Sequence, residues 1–193
     1  MEDERKKVLT ISGPSGVGKS VLCNILLHHS DRFAFSVSAT TRKMRLGEKH
    51  GVDYYFLSEE EFKSKIEAGE FIEWEELYPG QLSGTLRSEV TRLVEQENKI
   101  ALFDVDVLGA MNIKKHFNDA AHTVLVKPES TEALEKRLRL RGTESEEEIQ
   151  NRIKRFEKEL SHEDSFDAVL INTTGDIATT KENIIAIADG HFL

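Results

Sequence analysis

The 193-residue chain contains little cysteine and no long apolar run. Its single cysteine, Cys23, cannot form an intramolecular disulfide, and we expect it to be a thiol packed in the core. No apolar stretch has the length of a membrane span, and no charged-then-apolar leader is present. Internal repeats and low-complexity linkers are also absent from the sequence. These absences predict a cytoplasmic protein without membrane contact.

Positive charge is also in short supply. The chain has 26 Lys and Arg against 35 Asp and Glu, which gives a formal net charge of −9 at pH 7. A general nucleic-acid or anionic-membrane surface needs the opposite balance, so we expect neither partner. With 38% hydrophobic residues, a chain of this length can bury one sizeable core and carry two small insertions, rather than form two independent domains. The sequence leaves monomer and homodimer open.

A glycine-rich segment gives the clearest local signal. Residues 13–20 read GPSGVGKS and fit the pattern G-x-x-x-x-G-K-[ST], between a short apolar strand pattern and a helical repeat. A chance match in such a chain is expected on the order of once in a hundred, before the flanking elements are considered. Such loops hold a polyphosphate through backbone N–H groups and a lysine, and their hydroxyl can ligate Mg²⁺. We therefore expect a nucleoside triphosphate with Mg²⁺ to bind at Gly13, Pro14, Ser15, Gly16, Val17, Gly18, Lys19 and Ser20.

Apolar segments alternate with helical repeats along much of the chain. The pattern predicts buried parallel strands at 8–11, 100–105, 123–126 and 168–171, and helices at 110–117, 132–140, 146–160 and 177–188. This order predicts an α/β fold with a doubly wound parallel sheet. Ser58 with Glu61, and Ser145 with Glu148, have the Ser-x-x-Glu spacing that starts a helix.

Two stretches interrupt the alternation. Residues 38–92 are rich in Thr, Tyr, Phe, Gly and charge, and predict an inserted, mostly β subdomain around one short helix. Residues 131–159 predict a charged helical hairpin, connected through residues 141–144, that would form a lid over the phosphate loop. The core of the single domain would then comprise residues 1–37, 93–130 and 160–193.

Arginines and aspartates supply further candidate site residues. Arg42 and Arg45 lie close together near threonine hydroxyls, and guanidinium groups bind phosphate monoesters bidentately; solvated surface charge is the alternative. Asp104 and Asp106 follow an apolar run, so they lie at the carboxyl end of a strand, where open α/β sheets place ligands. Asp104 is a candidate to act on Mg²⁺ together with Ser20, with ordinary helix capping as the alternative.

Two lid arginines are spaced unfavourably for an isolated helix. Arg137 and Arg141 are four residues apart, so their like charges disfavour the helix unless an external anion lies beside them. A transferring phosphoryl group would be such an anion. One arginine that stabilises its charge can contribute ~10³-fold or more in rate.

Several longer motifs carry a specific resemblance. SATTRKMRLGEKHGVDYYF, then FIEW, then DVDVLG and RLRLRGTESEEEIQNR occur in the order found in guanylate kinases, and the resemblance spans residues 7–172. It implies a P-loop NTPase-type sheet with a GMP-binding insertion and a helical lid. It also implies transfer of the γ-phosphoryl group of ATP to GMP, and to dGMP, which yields ADP and GDP with Mg²⁺ as the cofactor.

The resemblance implies a role for each matching position. Residues that hold GMP would be Ser38, Arg42, Arg45, Tyr54, Glu73, Thr85 and Asp106. Catalysis would depend on Lys19, Arg137, Arg141 and Arg152, while Asn172 would approach the adenine of ATP. The chemistry of the base agrees, because a carboxylate can accept from guanine N1–H and the exocyclic amine, whereas adenine has no N1–H.

The chain departs from the family pattern at three places, one of which follows Asn172, where the family commonly has Asp and this chain has Thr173. Ser83 stands where the family usually has a tyrosine that touches the GMP phosphate, and Leu108 replaces the usual Gln or Lys. Two other functions therefore stay open: an interaction module that uses the nucleotide groove for a partner, and a P-loop kinase for another phosphorylated acceptor. The intact phosphate loop argues against the first, and Glu73 with Asp106 argues against the second.

Overall fold

The structure, a computed structural model, describes residues 7–142 and 145–193, without the side chains of Leu77, Tyr78 and Arg141. The strands are β1 Val8–Ser12, β2 Phe33–Phe35, β3 Ala39–Thr40, β4 Tyr55–Phe56, β5 Phe71–Tyr78, β6 Gln81–Leu86, β7 Ile100–Val105, β8 Ala121–Pro128 and β9 Ala168–Asn172. The α-helices are α1 Lys19–His29, α2 Glu59–Glu67, α3 Arg87–Thr91, α4 Val107–Phe117, α5 Thr131–Arg141, α6 Glu146–Glu159 and α7 Ile177–Phe192.

The core is a five-stranded parallel sheet in the order β2-β7-β1-β8-β9. Both faces are covered by helices, which is why the strands read as continuous apolar runs. One face packs on α1 and α7 through Leu22, Leu26 and Ile184. The other packs on α4 and the segment after β6 through Ile113 and Val90. The predicted doubly wound parallel sheet is confirmed.

A second sheet, in the order β4-β3-β6-β5, lies wholly within residues 38–92. Its small core is centred on Phe62 of α2, which is fully buried and stacks on Phe71 with ring centroids 4.3 Å apart. The helical segment 87–96, α3 followed by one π-helical turn, crosses the boundary predicted at residue 92, and Leu93 packs on the main core. The division into core, insertion and lid stays a prediction.

Local signals located the helix starts better than the helix lengths. Both predicted capping boxes are present, at Ser58 with Glu61 and at Ser145 with Glu148. Helix α4 begins three residues earlier than predicted, because the Asp106 side chain accepts a hydrogen bond from Gly109 N and caps the helix directly after β7. The sequence analysis did not predict β2 or the helical segment 87–96.

The lid hairpin has its own apolar contact layer. Helices α5 and α6 pack through Leu134, Leu138, Ile149, Ile153 and Phe156. Residues 143 and 144 of the predicted connection lie outside the described part of the chain. None of the helices within 7–142 and 145–193 is both long and apolar enough to cross a membrane.

Cys23 is 2% exposed on α1 and belongs to the main core. Burial raises the pKa of its thiol far above the usual range, so the group stays protonated at neutral pH. The prediction of a packed thiol is confirmed.

Asp167 joins the start of β9 to β8 and α4. One carboxylate oxygen accepts from Thr123 N and Thr123 Oγ1, both at 2.8 Å, and the other accepts from Lys114 Nζ at 2.8 Å. Burial alone would raise the pKa of Asp167, but the bonds from Lys114 and Thr123 outweigh burial and lower the pKa to about 2. The ionised carboxylate therefore stabilises the fold.

We expect Asp167→Asn to destabilise the protein by about 2 kcal/mol at pH 7, because it removes charge-assisted hydrogen bonds to the buried Thr123. A lowered pKa contributes stability above the ordinary value of 3.8 and loses it as pH falls toward 2, so the difference from wild type should shrink at pH 3. Urea unfolding at pH 7 and at pH 3 measures the difference in unfolding free energy between Asp167→Asn and wild type. The exposed His29 partner Asp189 supplies the control, since Asp189→Asn should cost less than about 1 kcal/mol. Equal costs for the two variants would contradict this account.

Candidate nucleotide site

The predicted phosphate loop lies between β1 and α1. Gly13, Gly16 and Gly18 have φ values of 139°, 85° and 101°, in the left-handed region that favours glycine. At Gly13 an added Cβ would also lie 2.1 Å from Val126 O, so the loop fits closely against β8. The glycines of the motif are therefore required by the backbone path, which turns the loop back over the start of α1.

Lys19 and Ser20 meet Asp104 at the end of β7. Lys19 Nζ donates to Gly13 O at 2.9 Å and lies 3.6 Å from Asp104 Oδ1, while Ser20 Oγ donates to Asp104 Oδ2 at 2.8 Å. The hydroxyl and the carboxylate are hard oxygen ligands of the kind that Mg²⁺ prefers, and Mg²⁺ usually takes its other ligands from phosphates and water. In the described residues, no group of three or more His, Cys, Asp or Glu could hold a metal by itself. The donor set therefore fits Mg²⁺ that arrives with a polyphosphate.

Asn172, at the end of β9, braces the phosphate loop. Its Nδ2 donates to Val17 O at 2.7 Å, and its Oδ1 accepts from Thr180 Oγ1 at 3.1 Å. A Cβ at Gly18 would lie 2.7 Å from Nδ2. These contacts give Asn172 a role in holding the loop, and its predicted approach to adenine stays a prediction.

The two predicted guanine acids converge at the first turn of α4. Glu73 on β5 is 9% exposed and accepts from Thr85 Oγ1 at 2.6 Å. A Cβ on Gly109 would lie 3.3 Å from Glu73 Oε2 and 3.2 Å from Asp106 Oδ1. Burial raises the pKa of Glu73, the Thr85 bond opposes that shift, and the charge of Asp106 adds to it. Glu73, Thr85 and Asp106 thus form one acidic pocket whose space depends on a glycine.

Arg42 is fixed by an acid that the sequence analysis did not single out. Its guanidinium donates to both oxygens of Glu48, at 2.8 and 2.9 Å, and lies 5.1 Å from the centroid of the Tyr54 ring. The Arg42 bond and a bond from Arg45 N lower the pKa of Glu48 to about 2. The Arg45 side chain is exposed. Glu48 follows Arg42 by six residues within the matching motif. An acid in this arginine-rich loop was the sequence feature that could have identified Glu48 as a partner of Arg42.

The predicted GMP residue Ser38 and the departure from the family pattern, Ser83, lie beside the small sheet and on it. Ser38 directly precedes β3, and its carbonyl oxygen accepts from Tyr55 N at 2.9 Å. Ser83 lies on β6, opposite Thr40 of β3 and Glu75 of β5. The position that departs from the family pattern therefore neighbours an acid on the adjacent strand.

The predicted lid arginines are placed differently from one another. Arg137 Nη2 donates to Glu129 Oε2 at 2.8 Å and to Thr174 Oγ1 at 2.9 Å, and it also contacts the backbone of Asn172. Arg152 lines a cavity beside the phosphate loop. The side chain of Arg141 lies outside the described part of the chain. Arg152 and Lys19 thus line the same cavity, whereas Arg137 is hydrogen-bonded at the end of β9.

This cavity, of about 440 Å³, lies between the phosphate loop, α6 and Asp106. It connects the loop to the acidic pocket, because Lys19 and Asp106 both line it. The lining residues are Gly13, Pro14, Ser15, Lys19, Asp106, Glu148, Asn151, Arg152, Arg155 and Glu159. One continuous space therefore extends from the phosphate loop to Asp106.

Arg155 and Glu75 are site residues that the sequence analysis missed. Arg155 Nη2 lies 2.5 Å from Asp106 Oδ2 and 3.5 Å from Glu75 Oε2. Burial, followed by the hydrogen bond with Asp106 and its charge, raises the pKa of Glu75 to about 8, while Arg155 opposes that shift. Arg155 follows Arg152 by three residues on α6, and that helical spacing was a signal that it would face the same way.

Comparisons with known proteins agree with this geometry. The sequence model of the guanylate kinase family matches residues 5–186. The guanylate kinase of Salinibacter ruber is 44% identical over 91% of this chain and 93% of its own length, and that of Porphyromonas gingivalis is 45% identical over 92% and 94%. The crystal structure of guanylate kinase from Anaplasma phagocytophilum superposes with a TM-score of 0.74 at 31% identity, covering 96% of this chain and 86% of that one. Motifs, fold and relatives lead to one conclusion: this chain belongs to the guanylate kinase family.

Proposed function

We propose that this chain transfers the γ-phosphoryl group of ATP to GMP, and to dGMP, giving ADP and GDP, with Mg²⁺ as the cofactor. The observation that carries the proposal is the convergence of two acids, since a Cβ on Gly109 would lie 3.3 Å from Glu73 Oε2 and 3.2 Å from Asp106 Oδ1. Asp106 shares its cavity with Lys19 of the phosphate loop. Two anionic substrates can therefore occupy one cleft with their phosphates toward each other.

The acidic pocket favours guanine over adenine. Guanine offers N1–H and an exocyclic N–H₂ on one edge, and ionised carboxylates only accept hydrogen bonds. Thr85 holds Glu73 by donating to one of its oxygens, which orients the carboxylate. Adenine would bring an N1 lone pair against a carboxylate, which leaves a buried acceptor unpaired and costs binding free energy.

The phosphate of GMP would bind at the other end of the small sheet. We assign it to Arg42, Arg45 and Tyr54, with Ser38 near the base. Glu48 holds the Arg42 guanidinium in a fixed plane, so less rotamer entropy is lost when a phosphate binds. The same proposal keeps the division into a core, a GMP-binding insertion at 38–92 and a lid at 131–159.

Phosphoryl transfer requires positioning and charge stabilisation, with no covalent enzyme intermediate. An oxygen of the GMP phosphate, already ionised, bonds to the γ-phosphorus as the bond to the β,γ-bridging oxygen breaks, and ADP leaves with that electron pair. The loop amides and Lys19 hold the transferring group, and Arg152 faces it from the lid; Arg137 and Arg141 are further lid candidates. Ser20 and Asp104 would hold Mg²⁺, which offsets phosphate charge when bound. Asn172 keeps the loop in shape and is assigned to the ATP site.

We further propose that the protein works in the cytoplasm, as a monomer or homodimer, without nucleic acid. Two alternatives are an interaction module and a kinase for another phosphorylated acceptor. One activity assay distinguishes both of them from this function.

That assay presents ATP and Mg²⁺ with GMP, dGMP, AMP, CMP or UMP and follows ADP formation. We expect turnover with GMP and dGMP, and rates at least about a hundredfold lower with AMP, because rejection by unpaired polar groups costs several kcal/mol. Comparable rates with AMP would remove the guanine assignment. Inactivity with every acceptor would favour the interaction module.

Lys19→Ala should abolish turnover with any acceptor while the fold, checked by circular dichroism, is retained.

The Gly109→Ala variant separates the acidic pocket from stability. Alanine is better than glycine inside a helix by about 0.5–1 kcal/mol, so Tm should stay the same or rise. The added methyl group would press on Glu73 Oε2 and Asp106 Oδ1, so we expect KM for GMP to rise about tenfold while KM for ATP changes little. Gly190→Ala on α7 is the matched control, since its Cβ would meet nothing within 4 Å. An unchanged KM for GMP in Gly109→Ala would show that the base does not bind at this turn.

Restoring the tyrosine tests the departure at Ser83. A phenolic hydrogen bond to a phosphate is worth about 1.5–3 kcal/mol, so Ser83→Tyr should lower KM for GMP by about tenfold or more. Ser83→Phe adds the ring without the hydroxyl, so the difference in KM between Ser83→Tyr and Ser83→Phe isolates the contribution of the hydroxyl. If both variants shift KM alike, the hydroxyl is not the cause.

A further inference from the structure

One face of α6 carries charged side chains along the whole cavity. Glu148, Arg152, Arg155 and Glu159 recur at spacings of three and four residues, and all of them line the cavity. Arg155 lies about one turn beyond Arg152. The lid helix therefore presents two arginines to the nucleotide cleft, and the proposed function assigns only the first to the phosphates.

Arg155 connects the lid to both elements of the acidic pocket. Its Nη2 lies 2.5 Å from Asp106 Oδ2 at the start of α4 and 3.5 Å from Glu75 Oε2 on β5. Its Nε donates to Glu159 Oε1 at 2.8 Å, one turn along the same helix. Glu159 thus fixes the direction of Arg155, and the remaining edge of the guanidinium reaches across the cleft.

The two oxygens of Asp106 have different partners. Oδ1 accepts from Gly109 N at 2.7 Å as the helix cap, and Oδ2 contacts Arg155. The carboxylate is therefore held at both ends, in one rotamer. Each oxygen has a second lone pair, so a guanine N–H can be added without loss of either contact.

Arg155 also offsets a local excess of negative charge. Glu73, Glu75, Asp106 and Glu159 are at most one-third exposed, and Arg155 contacts three of the four carboxylates. Without that guanidinium the acids would repel one another and the incoming GMP dianion. With the lid placed as it is here, Arg155 therefore lowers the repulsion that an anionic guanine nucleotide would meet in the pocket.

We propose that Arg155 is a positioning residue that couples lid closure over ATP to GMP binding, acting through Asp106 and Glu75. The inference rests on the proposed function, since it assumes that GMP binds at these acids. ATP favours the closed lid through the phosphate loop and Arg152, and the closed lid orders Asp106 through Arg155. By reciprocity, GMP must then tighten ATP binding by the same factor that ATP tightens GMP binding.

The test measures this coupling directly. The dissociation constant for GMP is determined by calorimetry with and without a saturating non-hydrolysable ATP analogue and Mg²⁺. For wild type we expect the analogue to tighten GMP binding about fivefold or more, within the usual range of coupling between sites. For Arg155→Met we expect the ratio of the two constants to fall to nearly one.

The lid offers a matched control in Arg139. Its side chain is 49% exposed, against 47% for Arg155, and it makes comparable ion pairs with Glu135 and Glu146, all within the lid. Arg139→Met should keep the wild-type coupling. Arg155→Lys retains the charge without the planar fork and should restore part of the coupling, which a purely structural role would not predict. If Arg155→Met fails to fold by circular dichroism, Arg155→Lys against Arg139→Lys decides the question.

A second variant tests the charge argument. Glu75→Gln removes one of the acids that Arg155 offsets, so the double variant with Arg155→Met should bind GMP more tightly than Arg155→Met alone. Equal binding by the two would overturn this part of the inference.

Two results would overturn the coupling itself. If Arg155→Met keeps the wild-type coupling, Arg155 does not have this role. If Arg155→Met binds GMP more tightly than wild type in the absence of the ATP analogue, Arg155 occupies space from which GMP must displace it. The proposed function fails separately, if wild type neither binds nor phosphorylates GMP.

Discussion

Repulsion between anions is the constraint under which this cleft is built. Two nucleotide phosphates must approach each other inside a chain with a formal net charge of −9. Three arginines are held in place by neighbouring acids, Arg42 by Glu48, Arg137 by Glu129, and Arg155 by Glu159 and Asp106, and the proposed function assigns the first two to phosphates. An arginine paired in this way loses part of its field but gains a fixed orientation. Orientation is the scarcer property at a site where the planar guanidinium must meet phosphate oxygens bidentately.

Carboxylates around the start of α4 oppose this arrangement, because their charges repel one another. Glu75 and Asp106 crowd each other, and burial with the Asp106 interaction raises the pKa of Glu75 to about 8. Because the raised pKa means that the folded protein disfavours the ionised form, Glu75 costs free energy of folding as pH rises from about 4.5 to 8. The cluster of carboxylates therefore lowers the folding stability, and the positive charge of Arg155 reduces that cost. In the proposed function, guanine would relieve it further by donating N1–H and the exocyclic N–H₂ to these carboxylates.

The parts of the molecule that were predicted correctly are those whose cause is local. Glycine spacing located the phosphate loop, apolar periodicity predicted four of the five strands of the main sheet, and Ser-x-x-Glu predicted two helix starts. Contacts between distant segments were not predictable in the same way. The spacing of Arg137 indicated an anion, and sequence alone offered a phosphoryl group, whereas the structure supplies Glu129 from the end of β8. Arg155 meets Asp106 only because the hairpin of α5 and α6 folds back over the loop, and no local pattern encodes that approach. The short strand β2 was missed because three residues carry too little periodicity.

The departure at Ser83 and the contact of Arg155 belong to one neighbourhood. Ser83 is paired in register with Glu75, and residues directly opposite on antiparallel strands have Cβ atoms about 5 Å apart. Glu75 in turn receives Arg155 from the lid. A bulky ring at position 83 would therefore lie beside the acid that the lid arginine contacts, so under the proposed function a change at this position would act on both GMP binding and the lid. Energies at such adjoining positions do not add, because each change alters the surroundings of the other. Beside the small residue at 83, Glu75 Oε2 lies 3.5 Å from Arg155 Nη2, so changes at 83 and at 155 would alter the surroundings of the same carboxylate.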